Sequence, residues 1–143
     1  MNSRNVLLAK SLTYSGTLPF ILCVISLLMN FPFMEASFLV RAYASVIISF
    51  LCGIHWAIYL FFSDKCPKNL FISSNVVAAI AWLSLITPPY IIFLMLQPIC
   101  FLYMLFLDFQ LCKALILPNW FYNLRRNATI IVILSLSTII ILL

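Results

Sequence analysis

Apolar positions along this chain fall in long unbroken runs, and the polar positions are confined to short clips between them. A first run covers about 12–31. A clip holding Glu35 and Arg41 follows, then a run over about 42–62. The next clip, 63–69, carries Asp64, Lys65 and Lys68. The apolar stretch from about 71 to 111 is too long for one crossing of roughly 20 residues and suits two. Pro88 and Pro89 mark the break, since neither can donate a backbone hydrogen bond. A last clip with Lys113, Arg125 and Arg126 precedes the final run. The pattern predicts five helices, at about 12–31, 42–62, 72–88, 90–112 and 126–143. It lacks the alternating polarity of a transmembrane barrel.

Composition turns these helices into membrane spans. Of 143 residues, 66% are hydrophobic and 8% charged, where a soluble domain carries about a quarter charged residues. Lipid offers backbone groups no partner, so the spans must be helical. The expectation is an all-α integral membrane protein, one helical-bundle domain over 1–143. With the N-terminus in the cytoplasm, the inner segments hold Arg4, Lys10, Lys65, Lys68, Lys113, Arg125 and Arg126, and the outer ones only Arg41. That positive-inside imbalance fixes the orientation and puts the C-terminus outside. The net charge of +5 therefore orients the chain rather than marking a nucleic-acid surface. The first run exceeds a signal-peptide core and no A-x-A-like site follows it, so it reads as a retained helix. Without an Arg/Ser-rich transit segment, the bacterial inner membrane is expected, with the mitochondrial inner membrane as the alternative.

The second predicted helix carries "SFLCGIHWAIYLFF", in which His55, the chain's single histidine, sits among apolar residues. Ser45, Ser49, Gly53 and Ala57 recur every fourth residue, a small-xxx-small ridge that predicts close approach of another helix. At 100° per residue His55 points about 160° away from Gly53, so it faces the opposite side. In the fourth helix Gln97, Phe101, Met104 and Asp108 form one stripe, expected to face inward because a carboxylate in lipid is costly. His55 and Asp108 fall at similar depth, near the cytoplasmic ends of their helices, with Arg125 and Tyr14 on the same side. The outer half reads as bland. Gly16, Pro19, Cys23, Ser26 and Asn30 share one side of the first helix, with Gly16 and Pro19 read as helix-packing positions, and the fifth helix, largely Ile and Leu, reads as the most lipid-exposed. The cysteines form no C-x-x-C, and neither metal nor cofactor is expected.

Several stretches occur together in a familiar order: "YSGTLPF", "SVIISFLCGIHWAIYL", "AWLSLITPP", Asp108, and "LPNWFYNLRRNAT". The chain resembles a small membrane family of unknown function that includes transmembrane protein 69 of animal mitochondria and many bacterial inner-membrane proteins. Matched positions include Tyr14, Gly16, Pro19, Ser49, Gly53, His55, Trp56, Trp82, Asp108, Trp120 and Arg125. Cys52 departs from the pattern, standing where the family usually has a glycine. The resemblance implies fold and location and carries no activity. The candidate functional cluster is Tyr14, His55, Trp56, Asp108, Trp120 and Arg125. Three roles are open to it: a structural, assembly or partner-binding subunit; a small transporter or proton relay through His55 and Asp108; and binding of a lipid headgroup or small anion at a cytoplasmic pocket. The first is favoured and enzyme activity is not expected. Partners are expected to be membrane lipids, other membrane proteins or a second copy, and not nucleic acid.

Overall fold

The structure is a computed structural model that describes residues 2–29, 36–88 and 90–143. Asn30, Glu35 and Pro89, used in the sequence reading, lie outside the described residues. Every regular element among the described residues is helical: α1 Ser3–Ser15, α2 Leu18–Leu28, α3 Ala36–Phe62, α4 Leu70–Ile86, α5 Tyr90–Lys113 and α6 Asn119–Leu142, with a 3₁₀ turn at Ser63–Lys65. Helices α1 and α2 are two parts of one apolar rod over Ser3–Leu28. Pro19 stands in the first turn of α2, where its missing N–H costs nothing. The predicted first helix therefore starts nine residues too late, at 12 where α1 begins at Ser3. A polar first turn hid that start, because exposed helix ends need no apolar face.

Among the described residues, four stretches are long and apolar enough to cross a membrane: Ser3–Leu28, Phe38–Lys65, Leu94–Lys113 and Asn119–Leu142. The fifth rod, α4, has 17 residues and is the short one. Asn69 caps its start, accepting from the backbone N–H of Phe71 and Ile72 at 3.0 and 3.2 Å, and its end falls just before the proline pair. At the end of α5 the N–H of Leu115 bonds Cys112 O and that of Ile116 bonds Leu111 O, which is a Schellman closure. Leu115 holds the left-handed position there, at φ 59°. This closure sends the chain back in a short link to Pro118, the N-cap of α6. α6 thus starts at Asn119, seven residues before its expected start at 126. Trp120 and Arg125 lie inside the helix and not in a loop before it.

Short links make α3, α4, α5 and α6 run alternately up and down. α3 packs on α4, α5 and α2, while α6 packs on α5, α2 and α1. The core holds Phe20, Val40, Ala44, Ile48, Met104 and Leu136, all at or below 1% exposure. Two expectations are corrected here. α6 is not the most lipid-exposed member: Leu124, Ala128, Thr129, Val132, Leu136 and Ile139 bury one full face of it. The peripheral rod is the N-terminal one, of which α1 buries no residue. In α3, Ser45 is buried while Ser49, Gly53 and Ala57 are exposed, and nothing stands within 4 Å of a Cβ placed on Gly53. Each four-residue step advances 400°, so the row drifts by about 40° per step and leaves the packed face. The packed stripe of α3 runs instead through Arg41, Ala44, Ile48, Leu51, Cys52 and His55.

Candidate functional site

Three helices each contribute one polar side chain to a dry point in the bundle. The packed stripe of α3 ends on His55, that of α5 ends near Asp108, and that of α6 begins with Leu124 and Arg125. Their exposures are 1, 2 and 9% for His55, Asp108 and Arg125. His55 Nε2 lies 2.8 Å from Asp108 Oδ1, and Arg125 Nε donates to Asp108 Oδ2 at 3.0 Å. A carboxylate has only acceptors to offer, so His55 carries its proton on Nε2 in this bond. Both carboxylate oxygens are thus engaged, each from a different helix. His55 Nδ1 is buried without a hydrogen-bond partner among the described residues. Arg125 engages Asp108 through Nε alone, so its two terminal nitrogens are not used in this contact.

The other members of the predicted cluster stand apart from this triad. Tyr14 is 39% exposed on α1, and its backbone oxygen accepts from the Thr17 hydroxyl at 2.8 Å. Trp56 follows His55 but faces outward, its ring 4.4 Å from that of Phe71. Trp120 sits half-buried in the first turn of α6 against Phe121, at 5.6 Å between ring centroids. Gly16 closes α1, and its carbonyl accepts from the Tyr43 hydroxyl at 3.0 Å.

A second polar cluster occupies the opposite half of the bundle, which was read as bland. Arg41 is 2% exposed and donates from Nη1 to Ser84 O at 2.8 Å. Ser45 Oγ donates to Ala81 O at 2.7 Å. Gln97 Nε2 donates to Arg41 O at 3.0 Å and to Ser84 Oγ at 3.1 Å, while Gln97 Oε1 is buried and unpartnered among the described residues. Arg41 escaped the sequence reading because the helix was started one residue after it. Its signal was its place four residues before Ser45, on the same face. The two clusters lie eleven residues apart on α5, or about 16 Å. The face between them is filled by Cys100, Phe101, Met104 and Leu107, all at or below 5% exposure.

The family model described as "Protein of unknown function (DUF3429)" matches residues 6–141, which span every helix and both clusters. The chain belongs to the DUF3429 family. Comparisons with curated proteins and with solved structures gave no match. Within this DUF3429 chain, Cys52, the departure from the expected pattern, is buried in the core on the same packed stripe of α3 as His55. Among the described residues no group of three or more His, Cys, Asp or Glu side chains is placed to hold a metal ion.

Proposed function

We propose that this DUF3429 protein is a non-enzymatic, multi-pass subunit of the bacterial inner membrane, with its N-terminus in the cytoplasm and its C-terminus outside. The short α4 is taken as a fifth crossing and the kinship with transmembrane protein 69 as genuine. In this reading His55, Asp108 and Arg125 form a clamp that fixes α3, α5 and α6 so that the bundle presents one constant surface to partners. The observation that carries it is the double engagement of Asp108: each oxygen accepts from a different helix in a dry environment. Removing one member of such a buried set leaves a charge without compensation, which costs about 3–5 kcal/mol. Hydrogen bonds between membrane helices contribute less, about 1 kcal/mol. Asp108→Ala should therefore lower the melting temperature in detergent much more than His55→Ala. Equal and negligible effects of the two substitutions would remove the clamp.

A proton relay is the second reading, and the unpartnered Nδ1 of His55 favours it. Against it stands the filling of Cys100, Phe101, Met104 and Leu107 between the triad and the Gln97 cluster, which leaves about 16 Å of that face without a charged side chain. Proteoliposomes decide between the two. The clamp predicts no pH-driven flux through the folded wild-type protein, whereas flux that His55→Ala abolishes without loss of folding would establish the relay.

A further inference from the structure

Arg125 has a second surface that the clamp does not use. It forms part of the wall of a groove of about 360 Å³ bounded by the N-terminal rod, α3, α5 and α6. The volume lies in the roughly 300–1,000 Å³ range of small-molecule sites. Val132, Ala128 and Phe101 make its floor, and Leu51 and Ile54 make the α3 side. Among the described residues Arg125 is its one charged lining residue, accompanied by Thr13, Thr17 and Thr129. Thr17 is engaged with Tyr14 O, whereas the hydroxyls of Thr13 and Thr129 form no hydrogen bond among the described residues. A larger groove of about 510 Å³ between α2 and α3 has no charged side chain among the described residues that line it.

We propose that this groove binds one anionic phospholipid from the surrounding bilayer, its phosphate on Arg125 and Thr129 and one acyl chain along Ile47, Leu51 and Ile54. Four observations select that occupant. Leu12 and Phe50 on its wall are 72% and 66% exposed, so the exposed part of the groove is apolar and faces sideways. A water-borne ion has no polar entrance there, while a lipid enters laterally. A guanidinium bonded through Nε keeps its terminal N–H donors for phosphate, the geometry in which arginine excels. Arg125 lies about 9 Å along α6 from Asn119, and a helical side chain leans toward its own N-terminus. That lean carries the free donors toward the bundle end where phosphates reside. Lys10 and Arg126 are exposed on α1 and α6 and favour a net negative headgroup over a zwitterionic one.

The inference rests on the membrane placement proposed above but not on the clamp. Its test leaves Asp108 untouched. Protein reconstituted in vesicles of equal phosphatidylglycerol and phosphatidylcholine is extracted gently and its retained lipid counted by native mass spectrometry. One phosphatidylglycerol should be retained in about fivefold preference, the selectivity one basic residue provides. Ile47→Trp, which fills the acyl side without touching the triad, should abolish retention. Thr129→Val, nearly isosteric, should reduce the preference while the melting temperature in lipid-free detergent stays unchanged. Equal retention of the two lipids, or the same preference in Thr129→Val and Ile47→Trp, would overturn the proposal. So would stabilisation by inorganic phosphate or a free fatty acid equal to that by phosphatidylglycerol. A failed clamp appears separately, as an Asp108→Ala protein that melts like wild type.

Discussion

At the scale of single residues, the chemistry concentrates on Asp108. It is one of 3 acidic residues in the chain and is 2% exposed. A carboxylate there persists because two donors meet it, and the two differ in kind. Arg125 brings a fixed charge, while His55 brings a hydrogen bond. The coupling between His55 and Asp108 should therefore be small, about 1 kcal/mol in a double-mutant cycle. The coupling between Arg125 and Asp108 should exceed it by at least about twofold. Unfolding of the single and double alanine variants in detergent measures both terms, and a larger His55 coupling would reassign the pair's main contact. The His55–Asp108 pairing was legible in the sequence because both lie on helical stripes at matching distance from a basic clip. Arg125 was placed near them but at a helix start, since nothing in an Ile- and Leu-rich run shows how far a helix extends into a polar segment. Arg41 was misread for the same reason. A boundary error of a few residues changes a loop charge into a buried one.

Among the elements, the contrast is between helix faces that lipid covers and faces that protein covers. In water these differ in polarity; in a bilayer both are apolar, so α6 could not be recognised as central from composition. The small-residue row of α3 failed for a geometric reason, its 40° drift per step. The consequence is measurable at Gly53, where a Cβ meets nothing within 4 Å. Gly53→Ala should raise stability by up to about 1 kcal/mol through helix propensity alone. Loss of stability would show that the face is packed against a partner after all. The end of α5 offers the opposite case. Leu115 occupies the left-handed position of a Schellman closure at φ 59° and is 92% exposed. A leucine there sacrifices backbone comfort without gaining burial. Leu115→Gly should stabilise the protein by about 1 kcal/mol, read as a rise in melting temperature, and a fall would mean that the exposed side chain has a partner.

For the whole molecule, the helix order and the basic residues make one argument about orientation. Because α3 to α6 alternate in direction, the ends of α3 and α5 and the starts of α4 and α6 share one end of the bundle. Lys65, Lys68, Lys113 and Arg126 all stand there. Lys68 lies 5.2 Å from the ring of Phe106, and Lys113 lies 4.5 Å from that of Phe109, which ties both cations to the same level of α5. Arg41 and Arg125 drop out of the loop count because they are buried, yet the imbalance is sharpened, since the one cation assigned outside was Arg41. A leaflet of anionic lipid attracts each such cation by about 1 kcal/mol, and the end that bears them is expected in the cytoplasm. The strain on this picture comes from α4, whose 17 residues span about 25 Å against a hydrocarbon core of about 30 Å. It packs one face, through Leu70, Ser74, Val77, Ala81 and Ser84, against its neighbours α3 and α5, and local thinning covers a mismatch of a few Å at modest cost. Single cysteines on a cysteine-free background test the arrangement. A thiol at Leu143→Cys should react with a membrane-impermeant maleimide in sealed right-side-out vesicles, while one at Lys68→Cys should react only after lysis. If α4 does not cross, the end of α3 and the start of α5 fall on one side and α5 and α6 reverse, so thiols at Thr87→Cys and Leu143→Cys would both share the protection of Lys68→Cys instead of both reacting before lysis.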